Sequence, residues 1–119
     1  MGWFSSKKDI TDLQKTLIIH LCDSMLGNDN PYYEYHENQM RTKLNLSENT
    51  HASYLFEAVN LFEIQFFDAF NFLSKLSDNN KRLVNEVFSY AKNNSNLKDS
   101  KSQDDLMFIC NKINSLLGI

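Results

Sequence analysis

The stretch that decides the fold is residues 52–76, ASYLFEAVNLFEIQFFDAFNFLSKL, which holds six of the nine phenylalanines and neither glycine nor proline. At about 100° of rotation per residue, Ser53, Glu57, Asn60, Asp68, Asn71 and Lys75 fall within one narrow polar stripe. Leu55, Ala58, Val59, Leu61, Phe62, Phe66, Ala69, Phe70, Phe72 and Leu73 cover the rest of the circumference. A helix that is apolar over most of its surface has to be wrapped by others. The polar positions keep phase from Ser53 to Lys75, which predicts one continuous helix, entered near Ser47, at the centre of the fold.

The flanking segments read as the wrapping helices. From Asp9 to Leu26, Thr11 and Gln14 stand at capping-box spacing, and Ile10, Leu13, Leu17, Leu21 and Met25 recur every three or four residues. Gly27 offers the left-handed residue that ends a helix, with Asn28 to Pro31 as the loop. Asn30 before Pro31 suggests an N-cap for a second helix reaching Leu44 through Tyr33, His36 and Met40, although Tyr33 and Tyr35 around Glu34 suit a short strand equally. Beyond the Phe-rich stretch, Ser77 to Asn80 reads as a turn with a capping residue, and Leu83, Val84, Val87, Phe88 and Ala91 mark one face of the next helix, which Asn93 or Asn94 can end. After a polar loop to Lys101, Ser102 and Asp105 stand at capping-box spacing ahead of Leu106, Ile109, Cys110, Ile113, Leu116 and Leu117, with Gly118 as the stop. The expected fold is all-α, an irregular bundle of four to five helices around a long Phe-rich central helix. It forms a single domain over residues 1–119 in which 1–8 are a flexible N-terminal segment.

Composition supports that reading. A chain of 119 residues has room for one domain, and three glycines and one proline are too few turns for a meander of short strands. The net charge is -3 and the 12 basic residues form no long run, so a nucleic-acid partner, which needs clustered Lys and Arg, is not expected. No apolar run is long enough for stable membrane insertion, and Met1 to Phe4 passes at once into Ser5, Ser6, Lys7 and Lys8 without a signal-peptide core, which predicts a cytoplasmic protein. Cys22 and Cys110 each stand among apolar residues and read as buried thiols rather than a bridge.

The sequence offers little chemistry. No nucleophile elbow, P-loop, dinucleotide-binding glycine pattern or zinc-protease signature occurs, so neither an enzyme nor a cofactor is expected. Glu48 and His51 have the E-x-x-H spacing of a helical metal centre, but such centres need a second copy and two further glutamates. The alternative reading they support is a helical bundle binding a metal or small molecule through Glu48, His51, Glu57 and His20. At the N-terminus, Met1, Gly2 and Ser6 match an acylation pattern followed by Lys7 and Lys8. The bulky Trp3 suits that modification poorly, and Trp3 with Phe4 reads better as an aromatic tag that packs on the bundle or on a partner.

The main anomaly is electrostatic. Between Leu44 and Ser74 there is no Lys or Arg, while Glu48, Glu57, Glu63 and Asp68 give that span four negative charges. Ile64 and Phe67 fall in or beside the same stripe. Apolar anchors ringed by polar groups make binding hot spots, so Glu57, Asn60, Ile64, Phe67, Asp68 and Asn71, with Tyr33 and Tyr35, are the candidate protein-binding residues. The competing possibility is that Tyr32, Tyr33 and Tyr35 fold across the stripe and bury it. The function expected is that of a small acidic interaction module, monomer or homodimer, that neutralises a basic protein partner in the manner of inhibitors and immunity proteins of toxins. That comparison rests on composition alone.

Overall fold

The computed structural model describes residues 9–118. Among them the chain forms six α-helices and no strand: α1 (Asp12–Leu26), α2 (Tyr33–Lys43), α3 (Glu48–Ile64), a single turn α4 (Phe66–Ala69), α5 (Asp78–Asn93) and α6 (Ser100–Leu117), with a 3-10 segment, Asn71–Lys75, between α4 and α5. The all-α reading holds, while the count of four to five helices is one short. No helix among the described residues is long and apolar enough to cross a membrane. Trp3, Phe4 and the acylation pattern lie outside the described residues.

The centre of the bundle is α1 and not the Phe-rich stretch. Thr16, Leu17, Ile18 and Ile19 are all buried, and four consecutive buried positions cover a full turn. Leu21, Cys22, Met25 and Leu26 extend that burial to the end of the helix, which packs against α2, α3 and α5. Thr16 keeps its hydroxyl satisfied by donating to the Asp12 carbonyl at 2.8 Å. The start of α1 is fixed by the expected capping box, Thr11 accepting from the Gln14 amide while Gln14 accepts from the Thr11 amide. Gly27 ends α1 with φ 92°, but its ψ of 142° is extended, so it is not the left-handed helical cap expected. A side chain there would also meet Leu97 Cδ2 at 3.2 Å.

The region of Tyr33 is helical. Pro31 stands in the turn ahead of α2 rather than at its first position, and Asn30 acts through its side chain. Its Oδ1 accepts from the Tyr32 amide, and its amide nitrogen donates to the carbonyls of Leu26 and Asn94, tying the α1–α2 turn to the end of α5. Ser47, Ser77 and Asp99 cap α3, α5 and α6 through side-chain oxygens. Asp99 takes the place expected of Ser102, whose amide it binds at 3.0 Å. Gly118 closes α6 in the left-handed conformation, as read from the sequence.

The continuous central helix is the largest correction. It breaks at Gln65, whose φ of -134° and ψ of 45° leave the helical region, and the chain continues through α4 and the 3-10 turn. The four-residue spacing of Phe62, Phe66 and Phe70 keeps their rings in contact across the break. Phe62, Phe66 and Phe70 form a cluster with centroids 5.0 to 6.4 Å apart, and Phe70 is buried. Burying such a ring is worth about 1.5–3 kcal/mol, enough to offset the loss of one helical hydrogen bond at about 1 kcal/mol. Before the break, α3 lies along α1 and buries only His51 and Ala58 fully. It is a peripheral helix.

Candidate protein-interaction surface

Because α3 touches the bundle along one side, its other side faces solvent. Ser53, Phe56, Glu57, Asn60, Glu63 and Ile64 are exposed there. Phe56 is 79% and Ile64 76% accessible, unusual for side chains of that size. Past the bend, Phe67, Asp68 and Asn71 are exposed as well. The tyrosine segment does not cover this face.

Phe67 joins α4 to α6. Its ring meets that of Phe108 edge to face at 6.1 Å, and the Lys112 ammonium lies 5.3 Å from the Phe67 centroid and 5.9 Å from that of Phe108. Phe67, Phe108 and Met107 are all more than half accessible, so the apolar surface begun by Phe56 and Ile64 is taken up again on α6. The sequence reading missed Phe56, Met107 and Phe108. Phe56 stands one residue from Glu57 and four from Asn60, a spacing that places it on the polar face, so that signal was present.

Tyr33 and Tyr35 lie elsewhere. Tyr33 is half-buried beside Asp23 of α1. Tyr35 packs its ring 5.6 Å from His36, whose Nδ1 bonds to the Tyr90 hydroxyl of α5 at 2.8 Å. The partners of both tyrosines thus belong to α1, α2 and α5, whereas the other six candidate residues belong to α3, α4 and the 3-10 turn.

Behind the α3 face is a buried polar seam. Asp23 of α1 lies beside Glu37 and Tyr33 of α2. Arg41 of α2 lies 3.9 Å from Glu37, and His51 of α3 is 8% accessible. Asp23 Oδ1, Arg41 Nε and His51 Nε2 are buried without a hydrogen-bond partner in the protein. Burial, then the neighbouring Glu37 carboxyl, push the Asp23 carboxyl up to about 9, so at neutral pH it carries a proton. Burial also lowers His51, helped by the Arg41 charge and opposed by Glu37 and Glu48. His20, edge to face with Phe62 at 4.6 Å, is lowered by burial against the pull of Glu63. Among the described residues no group of three or more His, Cys, Asp or Glu side chains is placed to hold a metal ion, so Glu48, His51, Glu57 and His20 are not assembled into a ligand set.

Both cysteines are free; Cys22 is buried and Cys110 half-buried, and burial raises both thiols, which keeps them protonated and unreactive. Comparison with protein-family models, with curated proteins and with solved structures finds no match to this chain.

Proposed function

We propose that the protein is a small acidic interaction module, acting in the cytoplasm, that docks a basic protein partner on the outer face of α3 and neutralises it as an inhibitor or immunity-type protein does. The role is one of binding and not of catalysis. The observation that carries this reading is the exposure of Phe56, Ile64 and Phe67 on a span that contains Glu57, Glu63 and Asp68 and no Lys or Arg. Large apolar side chains are costly to leave in water without a use. The carboxylates of Glu57 and Glu63 on the same face as Phe56 and Ile64 select a partner with Lys and Arg about its own apolar anchor, through steering in the encounter and repulsion of acidic competitors, while Phe67 stands at the edge of the face, where the Lys112 ammonium lies over its ring. In this arrangement Phe56, Ile64 and Phe67 provide the buried contacts, Glu57, Glu63 and Asp68 the rim charges, and Asn60 and Asn71 hydrogen bonds between them. Tyr33 and Tyr35 support the bundle on another side.

The test uses an amphipathic helical peptide of leucine and lysine as probe and follows backbone amide shifts during titration. Shifts concentrated on residues 53–71 and weakened by salt are the expected result, with an equivalent peptide of leucine and glutamate producing none. Equal response to the two peptides, or shifts spread over the whole surface, would overturn the assignment.

A further inference from the structure

We propose a second site: the groove between α4 and α6 binds a small aliphatic carboxylate, its chain among Phe66, Ile109 and Leu116 and its carboxylate on Lys112. The groove holds about 160 Å³ and its walls are mainly apolar, with Asn71, Lys112 and Ser115 as the polar lining. Pockets of this composition, apolar with a few convergent polar groups, are where small ligands bind.

The charge decides the ligand class. Among the described residues the ion pairs are Arg41–Glu37, Lys43–Glu86 and Lys101–Asp105, so Lys112 has no carboxylate partner. Its ammonium is held instead between the rings of Phe67 and Phe108, at 5.3 and 5.9 Å from their centroids. A ring face attracts the cation without occupying its three N–H donors as an anion would. An anion approaching from the groove therefore finds a positioned donor, while the ligand's chain displaces water from apolar walls. An amine meets repulsion at the same point, and an alcohol gains no charge-assisted bond. The groove adjoins the docking face and shares Phe67 and Asn71 with it, but Lys112, Ile109 and Leu116, which decide the ligand, lie on α6.

Octanoate, octan-1-ol and octylamine are the probes, titrated calorimetrically against the full chain. Octanoate is expected to bind at least about tenfold more tightly than either analogue, with the amides of Asn71 and Ser115 shifting on saturation. Lys112→Met should remove the preference for the acid while leaving the exposed surface folded, and Ile109→Trp should abolish binding by filling the groove. Equal binding of octanoate and octylamine, an unaltered octanoate affinity in Lys112→Met, or no binding of octanoate at all would each overturn the proposal.

Discussion

Asp23 on α1 is buried against Glu37 on α2, within the seam that joins the central helix to its neighbours, and its Oδ1 has no hydrogen-bond partner in the protein. Asp23 is raised from an ordinary value of about 3.9 to about 9. A carboxyl whose folded value lies above its unfolded one stabilises the fold fully below the unfolded value and loses that contribution as pH rises through the folded one. Melting temperature should accordingly fall between pH 7 and 9. Asp23→Asn, which keeps the shape of the protonated acid, should flatten that slope. A wild-type slope surviving in the variant would show that Asp23 does not hold its proton.

On the acid side the histidines oppose Asp23. His20 and His51 are both lowered, chiefly by burial, so below about pH 6.5 the unfolded chain takes up their protons first, which offsets the stability that Asp23 gains as pH falls; in Asp23→Asn, where that gain is absent, stability should decline from about pH 7 to 5. Adding His51→Gln to that variant should lessen the decline, since it removes one of the two groups. Thermal melts from pH 7 to 5 on both proteins check this, and identical acid limbs would contradict it.

The placement of α1 at the centre makes a sharp contrast between two apolar residues. Ile18 is fully buried and Phe56 is largely exposed. Ile18→Ala should cost about 2–5 kcal/mol, whereas Phe56→Ala should stay within about 0.5 kcal/mol. Urea unfolding of the two variants measures both. A larger loss for Phe56→Ala would return the Phe-rich helix to the centre.

Thiol chemistry should follow burial. Iodoacetamide should modify Cys110, which is half-buried, before Cys22, which is fully buried, and reducing agent should leave the melting temperature unchanged. Mass spectrometry of timed samples distinguishes the sites. A fall in melting temperature on reduction would require a bridge that the free thiols do not make.

Much of this architecture was legible in the sequence because local signals fix helix ends. Thr11 with Gln14, Ser47, Ser77 and Gly118 bind the backbone within a few residues, and no tertiary partner is needed to read them. The centre was not legible by the same means. Phe62, Phe66 and Phe70 keep helical phase, so their spacing carries no sign of the bend at Gln65 that accompanies the burial of Phe70. The clue to the true centre was the run Thr16 to Ile19, apolar or small on every side of one turn. The acidic, base-free character of residues 45–73 was visible at once, but not that Phe56 belongs to the open face or that Phe108, more than forty residues past the stripe, meets Phe67. The seam of Asp23, Glu37, Arg41 and His51 had no sequence signal, since it draws on three helices.

The most direct measurement is the rate of association between the purified protein and a basic partner that it captures, compared across three variants and two salt concentrations. Glu57→Lys combined with Asp68→Lys should slow association at low salt and flatten its salt dependence, because rim charges act on encounter. Phe67→Ala, at a residue 53% accessible, should speed dissociation while costing less stability than the 3–5 kcal/mol or so of a buried phenylalanine. Glu34→Lys, at an exposed position between Tyr33 and Tyr35 on α2, should change association far less than the double reversal does. Association unaltered by the double reversal, together with a Phe67→Ala variant that binds normally, would contradict the account: the outer face of α3 would then be solvent-facing surface and no docking site.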